Sequence, residues 1–318
     1  MQLSIITPTF NESLNVSKFI ASIEKTLEIK DYEIIFVDDN SNDQTYSVVK
    51  NIAQSKNYIR CIRRIGRRGL SSAVIEGCLS SASKYLLVID SDLQHDEKKI
   101  PSMLKLLKEK KLDLVVGSRF LNNKKTKGLS KFRNLLSRFA NYLANKISNA
   151  QLTDPMSGFF MVRLESFRGV VEELQMQGFK ILTDLLSASR GGWKVIEIPF
   201  VFKERKFGES KMDSAVTLEY FGLILARLSG GRLSIRFILF LFVGLTGVLV
   251  QLIMVALFLK ILLFSFFYSQ ILGVVAAMTS NFFLNNVLTY RDQSLIGKQA
   301  LIGLISFYFV CSLGAVAN

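Results

Sequence analysis

The first long uncharged apolar segment of the chain, residues 237–259, limits what this sequence can fold into more than any other feature. Its 23 positions carry no Asp, Glu, Lys or Arg. As a helix rising about 1.5 Å per residue, the segment can cross the roughly 30 Å hydrocarbon core of a bilayer. Backbone polar groups have no water to bond inside that core, so a crossing segment of this length must be helical. We therefore predict a transmembrane helix over residues 237–259.

Two further apolar segments follow, at residues 266–290 and 299–316. Basic residues precede the first span at Arg236 and follow the second at Arg291. The loop between those two spans contains a single basic residue, Lys260. By the positive-inside rule, the long N-terminal part of the chain and the loop after the second span face the cytoplasm. We expect a multi-pass protein of the cell membrane with three spans and a cytoplasmic N-terminal domain.

The remainder of the chain is polar and strongly basic. The 318 residues carry a formal net charge of +14 at pH 7. Such basicity is typical of proteins that bind nucleic acid, an anionic membrane surface or a phosphorylated substrate. The basic residues are concentrated beside apolar helical patterns rather than among interleaved aromatic residues, so we expect no nucleic-acid partner. The three cysteines match no metal-ligand spacing and are expected to be reduced packing residues.

Residues 1–120 alternate short β-branched runs with helical patterns. The runs are LSIIT (3–7), YEIIFVD (32–38), YIRCIRR (58–64), YLLVID (85–90) and DLVVG (113–117). Continuous apolar strands separated by helices predict an α/β fold with a mostly parallel sheet covered on both faces. Ligands of such sheets bind beyond the carboxyl ends of the strands. The polar segments expected at that edge are residues 8–12, 38–41 and 90–92.

Asp90 and Asp92 come directly after a predicted buried strand. Two carboxylates at positions i and i+2 in such a place need a cation. Mg²⁺ and Mn²⁺ prefer oxygen ligands, and proteins usually hold them with one or two carboxylates together with substrate phosphates. A lone D-x-D is weakly specific, but a second acidic pair, Asp38 and Asp39, ends another strand. The sequence therefore predicts a Mg²⁺ or Mn²⁺ site shared with a phosphorylated ligand.

His95, the one histidine of the chain, lies beside this acidic motif. One interpretation is a catalytic base. The other is a structural residue or a support for a metal ligand, which we favour because a phosphorylated ligand is already anionic near neutral pH and needs no strong base to act as a nucleophile.

Residues 129–147 place apolar side chains at helical spacing with basic side chains between them. No Asp or Glu occurs between Asp113 and Asp154. The pattern indicates an amphipathic helix on a membrane surface, although a helix packed on the core with a solvated basic side has the same periodicity. Arg133 and Ser137 stand at i and i+4, so they share one helix face and can bind the same phosphate group.

Six motifs occur in a fixed order within residues 1–212. They are PTFNE (8–12), DDNSNDQT (38–45), GLSSA (69–73), DSDLQH (90–95), GSR (117–119) and DPMSGFF (154–160). Together they resemble the dolichol-phosphate mannose synthase branch of the family 2 glycosyltransferases. The apolar part, with Phe242-Val243-Gly244 and SNFFLNN (280–286), is similar to the small GtrA-like transmembrane domain.

The resemblance implies a GT-A fold, which is Rossmann-like with a mostly parallel sheet, followed by an α-helical transmembrane domain. The implied domains are a glycosyltransferase domain (1–212), an interfacial amphipathic connector (213–233) and the GtrA-like domain (234–318). Within the latter, Gly244 and Gly247 are expected to permit close helix packing.

The resemblance also implies the roles of individual residues. The nucleotide-sugar is expected to contact Pro8, Phe10, Glu12, Asp38, Asp90 and Asp92. The metal and diphosphate are expected to contact Asp90, Asp92 and Gln94. The lipid phosphate is expected to contact Arg119, Arg133 and Ser137. The loop that closes over the donor phosphates is expected to contribute Arg205, Ser210 and Lys211, of which Arg205 and Lys211 join the acidic motif in catalysis. Phe10 stands where the family often has Tyr, so a hydroxyl contact to the nucleotide is lost.

The expected reaction is inverting transfer of one hexose, mannose first and glucose next, to dolichyl or undecaprenyl phosphate at the cytoplasmic membrane face. GDP-mannose and UDP-glucose are the candidate donors. A processive polysaccharide synthase is disfavoured because such enzymes add a Gln-x-x-Arg-Trp motif, whereas Trp193 lies in Gly-Gly-Trp-Lys. The alternative from a different class is a non-catalytic membrane module that handles a lipid-linked sugar or a partner protein.

Overall fold

The computed structural model describes residues 1–29, 31–121, 141–148, 150–175, 180–203, 222–227, 229 and 232–316. The chain divides into two compact units, Met1–Gly231 and Arg232–Asn318. The domain boundaries expected after residues 212 and 233 stay predictions.

The first unit is built on seven strands. They are β1 (Leu3–Thr9), β2 (Tyr32–Asp38), β3 (Ile59–Arg63), β4 (Tyr85–Val88), β5 (Leu114–Ser118), β6 (Phe160–Arg163) and β7 (Val195–Pro199). Its labelled helices are α1 (Ser13–Thr26), α2 (Thr45–Ala53), α3 (Leu70–Leu79), α4 (Ile100–Glu109), α5 (Leu164–Arg168) and α6 (Ile181–Ala188). Residues 141–148 and 222–227 are also helical.

All seven strands form one sheet in the order β3-β2-β1-β4-β6-β5-β7. β6 runs antiparallel to β4 and β5, and the other strand pairs are parallel. The predicted α/β fold with a mostly parallel sheet is confirmed. Because β1, β2, β4 and β5 run in the same direction, their carboxyl ends lie at one edge of the sheet, and this edge carries the acidic and polar motifs.

The sheet is buried on both faces by apolar side chains that alternate along each strand. Ile5 of β1 belongs to the core that α1, α2 and α4 cover, whereas Ile6 belongs to the core that α3, α5 and α6 cover. Gly77 lets α3 approach closely, because a Cβ there would lie 2.6 Å from the Ile6 side chain. The buried sheet therefore provides a rigid support for the loops at its carboxyl edge.

The second unit consists of apolar helices. They are α7 (Ile235–Lys260), α8 (Phe266–Leu284), which continues as a π-helix over Asn285–Thr289, and α9 (Lys298–Val316). By length and composition, Ile235–Lys260 and Phe266–Thr289 can each cross a membrane, whereas the apolar part of α9, Lys298–Leu313, is shorter. Large apolar side chains such as Leu249, Phe267 and Phe309 are exposed along all three helices, as expected for surfaces that face lipid.

Gly247 allows α7 and α8 to pack closely. A Cβ at this position would overlap the Asn281 side-chain amide, so any larger residue would force that side chain to move. Gly244 behaves differently: a Cβ built on it meets no described atom within 4 Å. Within the described residues, the prediction that Gly244 also serves close helix packing is wrong, because a larger side chain there would meet open space.

Candidate active site

The loops after β1 and β2 are joined to each other by hydrogen bonds. The Asn11 N–H donates to Ser41 Oγ (2.9 Å), and the Asn42 N–H donates to Asn11 Oδ1 (3.1 Å). Asn11 has a φ of 55°, a left-handed conformation that Asn tolerates better than most residues. These bonds hold the two loops together at the carboxyl edge of the sheet.

The predicted nucleotide-binding residues Pro8, Phe10, Glu12 and Asp38 lie on these loops or at the strand ends that precede them. Asp38 is fully buried and accepts hydrogen bonds from the Ser41 N–H and hydroxyl, so it also stabilises its own turn. Glu12 is buried, and its carboxylate accepts from Asn15 Nδ2 (2.7 Å).

Phe10 has a cationic neighbour that sequence reasoning missed. The Arg68 guanidinium lies over the Phe10 ring, 4.8 Å from its centroid, which is within range of a cation–π interaction. Arg68 is exposed. A basic group therefore stands beside the ring that is expected to meet the nucleotide.

Arg64 organises the loop between β3 and α3 and was also missed. It is fully buried and donates to Asp39, to the Gly69 carbonyl (3.1 Å) and to Glu76 Oε2 (3.1 Å). The Gly69 N–H in turn donates to Asp39 Oδ2 (2.8 Å), and Gly69 has a φ of 137° that favours glycine. Burial raises the pKa of Asp39 above its ordinary value, although the bonds from Gly69 and Arg64 oppose the shift. Asp39 therefore belongs to a buried ion-pair network rather than to an open ligand site.

The two carboxylates after β4 have different surroundings. The Asp90 side chain is 40% exposed, whereas Asp92 is 6% exposed as a residue. Asp92 Oδ1 accepts the Gln94 N–H (3.1 Å), which closes the turn, and Leu93 between them has a φ of 64°. The turn therefore brings both carboxylates to the same edge of the sheet as the nucleotide-binding loops.

His95 is buried against Asp90 and three aromatic rings. Its Nε2 lies 3.3 Å from Asp90 Oδ2. Phe159 stacks on the imidazole with centroids 5.4 Å apart, and Phe200 and Phe202 complete the enclosure at 5.5 and 5.6 Å. An enclosed ring that contacts a carboxylate is placed to hold that carboxylate still.

Gln94 connects the acidic motif to the segment after β7. The Lys203 N–H donates to the Gln94 carbonyl (2.8 Å), and Gln94 Nε2 donates to the Lys203 carbonyl (3.1 Å). Lys203 Nζ also donates to Glu97 Oε2 (2.9 Å). The Gln94 amide nitrogen is thus engaged with the backbone, and its Oε1 is the atom that remains to act as a ligand.

Arg119, which follows β5, is bound to the fully buried Asp154. Its Nε donates to Asp154 Oδ2 (2.7 Å) and its Nη2 donates to Oδ1 (2.8 Å). Burial alone would lower the pKa of Arg119, but the bonds and charge of Asp154 raise it above its ordinary value. Two of its five donors are used in this pair, so the others can bind an anion.

Lys180 is a further cation at this site, and sequence reasoning missed it. Burial and the neighbouring Arg119 guanidinium lower the pKa of Lys180 below its ordinary value, while Asp154 and Asp90 oppose the shift. The common neighbours show that Lys180, Arg119 and Asp90 share one electrostatic environment. No local signal in the sequence pairs Lys180 with residues so distant along the chain.

Five predicted site residues lie outside the described residues: Arg133, Ser137, Arg205, Ser210 and Lys211. Their assignment to the lipid phosphate and to the donor phosphates stays a prediction. The structure brings together the other eight at one edge of the sheet: Pro8, Phe10, Glu12, Asp38, Asp90, Asp92, Gln94 and Arg119.

The described residues include no group of three or more His, Cys, Asp or Glu side chains arranged to hold a metal ion by themselves. The donor set nevertheless fits a divalent cation that is shared with a diphosphate, because such ions are usually held by one or two carboxylates plus phosphate oxygens. Asp90 Oδ1 accepts no hydrogen bond from any described residue. Asp90 and Asp92 would therefore hold the ion, with the phosphates completing its coordination.

Comparisons with known proteins agree with this geometry. Residues 4–171 match glycosyl transferase family 2, and residues 239–318 match the GtrA/DPMS transmembrane domain. The dolichol-phosphate mannosyltransferase of Pyrococcus furiosus is 34% identical over 100% of this chain and 89% of its own length. That of Mycosarcoma maydis is 36% identical over 74% of this chain and 83% of its own length.

Solved structures support the fold. Glucosyl-3-phosphoglycerate synthase from Mycobacterium tuberculosis, in complex with Mn²⁺, UDP-glucose and phosphoglyceric acid, matches with a TM-score of 0.53 and 17% identity, covering 72% of this chain and 80% of that one. The same enzyme with Mg²⁺ and UDP matches with a TM-score of 0.54 and 18% identity, covering 72% and 79%.

Proposed function

The chain belongs to glycosyl transferase family 2 and is a membrane-bound glycosyltransferase, and from this premise we propose that it transfers one mannose from GDP-mannose to a polyprenyl phosphate. The observation that carries the proposal is the similarity, over the whole length of this chain, to a relative named dolichol-phosphate mannosyltransferase. The family resemblance read from the six motifs is confirmed by that match and by the family 2 match.

The donor binds at the carboxyl edge of the sheet in this proposal. Phe10 offers a ring for the nucleobase, and the Arg68 guanidinium over that ring adds positive charge beside it. Buried Glu12 and Asp38 are held in place by Asn15 and Ser41, so their positions are set before the donor arrives. Preorganisation of this kind reduces the entropy lost on binding.

Asp90, Asp92 and Oε1 of Gln94 would hold a divalent cation beside the donor diphosphate. Such an ion would supply positive charge against the charge that develops on the departing nucleoside diphosphate. Arg205 and Lys211 are proposed to add positive charge at the same place, since preorganised cations stabilise a leaving group most effectively where water is excluded. The turn that Asp92 closes with the Gln94 N–H keeps the acidic motif at the carboxyl edge of the sheet.

The acceptor phosphate binds to Arg119, Arg133 and Ser137. Arg119 is fixed by Asp154 and retains unused donors, so it can bind an anion without reorganising. An anionic phosphate oxygen attacks the anomeric carbon, a new C–O bond forms, and the bond from that carbon to the diphosphate breaks. The nucleophile is already deprotonated near neutral pH, so the chain's residues need to position it rather than remove a proton. Attack opposite the leaving group inverts the anomeric configuration.

We place the catalytic unit and the loop after α8 on the cytoplasmic side. The basic residues Arg232, Arg236, Arg291 and Lys298 support this orientation through the positive-inside rule. The acceptor headgroup and the donor would then meet at the cytoplasmic membrane face.

The test is transfer of radiolabelled sugar, from GDP-mannose and separately from UDP-glucose, to dolichyl or undecaprenyl phosphate in detergent. Mg²⁺ or Mn²⁺ is supplied and then removed with a chelator. Metal-dependent labelled lipid from GDP-mannose supports the proposal. Label from UDP-glucose alone keeps the reaction and replaces the sugar. No product from either donor, with folded protein, would favour the non-catalytic membrane module.

A further inference from the structure

We propose that His95 is a positioning residue: its Nε2–H donates to Asp90 Oδ2 and so orients the Asp90 carboxylate for the cation. This inference rests on the proposed assignment of Asp90 to the metal site. It starts from the 3.3 Å separation between His95 Nε2 and Asp90 Oδ2. A carboxylate at this distance accepts a hydrogen bond, so in this arrangement Nε2 carries a hydrogen.

The other ring nitrogen, Nδ1, shows that this arrangement lowers the stability of the fold. His95 Nδ1 is buried and has no hydrogen-bond partner within the described part of the chain. A buried polar atom without a partner destabilises a fold by about 1–3 kcal/mol. A phenylalanine would not carry this cost, so packing alone does not account for a histidine at this position.

The surroundings restrict both partners of the hydrogen bond. Three aromatic rings enclose the imidazole on several sides. Gly158 lies behind the pair: a Cβ there would be 3.3 Å from Asp90 Oδ2 and 3.8 Å from His95 Nε2. These contacts prevent free rotation of the His95 ring and keep Asp90 Oδ2 next to the three aromatic side chains.

The result for Asp90 is a difference between its two oxygens. Oδ2 faces His95, whereas Oδ1 receives no hydrogen bond from the residues that the structure describes. The side chain is 40% exposed, so it would rotate in solvent if nothing held it. Groups that orient a metal ligand in this manner typically change metal affinity or activity by about 10–100-fold when they are removed.

The test uses two substitutions of the full-length protein in detergent. His95→Phe keeps a ring in the enclosure and removes the donor, whereas His95→Gln places an amide N–H near the position of Nε2. Mn²⁺ affinity is measured by electron paramagnetic resonance of free Mn²⁺ in the presence of GDP, and separately UDP, and the Tm is measured without metal.

We expect His95→Phe to weaken Mn²⁺ binding by about 10–100-fold while its Tm stays equal or rises, because the orphan Nδ1 is gone. His95→Gln should recover most of the affinity. In an Asp90→Asn background, His95→Phe should cause no further loss, since the effect acts through Asp90.

Unchanged Mn²⁺ affinity in His95→Phe, with the wild type binding Mn²⁺, would overturn this inference and leave the proposed function intact. Equal losses in both His95 variants that follow a lowered Tm would also overturn it, because they would indicate a structural role. A wild-type protein that binds no Mn²⁺ with either nucleotide would instead overturn the metal assignment, and this inference with it.

Discussion

Asp92 contributes to its turn through an oxygen that an amide could replace. Its Oδ1 accepts the Gln94 N–H, and an Asn side chain offers the same acceptor without the charge. The turn can therefore be kept while a cation ligand is weakened.

We predict that Asp92→Asn lowers sugar transfer by more than about 100-fold, because loss of a ligand costs more than loss of its supporting contacts. The Tm without metal should change little. The matched control is Asp31→Asn, at the amino end of β2, where the carboxylate is exposed. A fully active Asp92→Asn protein would contradict the metal assignment.

A comparison of alanine substitutions at Gly158 and Gly169 can distinguish crowding of the acidic motif from a general effect of an added methyl group. A Cβ at Gly158 would lie 3.3 Å from Asp90 Oδ2, whereas a Cβ at Gly169 meets only carbonyl oxygens at 3.5 and 3.6 Å. We predict that Gly158→Ala lowers transfer by about tenfold through displacement of Asp90, and that Gly169→Ala leaves it unchanged. Equal transfer rates for Gly158→Ala and Gly169→Ala would contradict the prediction, because they would show that the Asp90–His95 pair tolerates the displacement.

At the scale of the structural elements, the loop from β3 to α3 depends on one buried cation. Arg64 joins Asp39, Glu76 and the Gly69 carbonyl. Removing one partner of a buried ion pair costs about 3–5 kcal/mol, because the other charge stays buried.

Arg64→Met should therefore lower the Tm of the purified protein by about 10 °C. Arg67→Met is the matched control: Arg67 also pairs with Glu76 but is 55% exposed, and surface pairs contribute about 0–1 kcal/mol. Similar Tm values for the two variants would mean that the network does not stabilise the loop.

α6 contains a carboxyl group that titrates in an accessible range. Burial raises the pKa of Asp184 to about 6, against the opposing effect of Arg227, which donates to its Oδ1. Between its unfolded value of 3.8 and about 6, the folded state binds more protons than the unfolded state. The contribution of this group to stability is therefore present at low pH and is lost as the pH rises through about 6.

Asp184→Asn removes this titration, so we predict that the Tm difference, wild type minus variant, decreases as the pH rises from about 4 to about 6.5. Thermal unfolding of both proteins across this range measures it. A Tm difference that increases with pH would contradict this prediction. It would mean that the pair with Arg227 lowers the pKa of Asp184 below its ordinary value.

The elements that could be predicted from the sequence are those with strong local patterns. The five predicted strands are confirmed as β1 to β5, because each is a short run rich in β-branched or apolar residues between turn signals. β6 and β7 were missed: β6 has four residues and pairs with β4 and β5, and β7 pairs with β5, and these partners are distant in the sequence.

The site residues likewise divide into those that local sequence predicts and those that depend on packing. The acidic motif and the polar loops could be predicted because they directly follow strands. Arg64, Lys180 and the aromatic enclosure of His95 could not be, since their partners are brought together only by packing. Asp39 appears in a motif, yet its role in a buried network depends on Arg64, 25 positions away.

At the scale of the whole molecule, the two units require different solvents. Met1–Gly231 buries a sheet on both faces, whereas α7 and α8 expose most of their apolar side chains. A chain of this kind is stable only where a bilayer covers the second unit. The proposed orientation in that bilayer rests on the basic residues next to the spans.

The orientation can be tested with single cysteines in the loops on either side of α8. Ser294→Cys lies in the loop between α8 and α9, and Ser265→Cys in the loop before α8. In sealed vesicles of known orientation, an impermeant maleimide should label Ser294→Cys from the cytoplasmic side only and Ser265→Cys from the opposite side only. The wild type, with Cys61, Cys78 and Cys311, gives the background. Reversed labelling would place the catalytic unit on the other side, where a cytoplasmic nucleotide-sugar could not reach it, so this outcome would contradict the proposed donor supply while leaving the chemistry of the site unchanged.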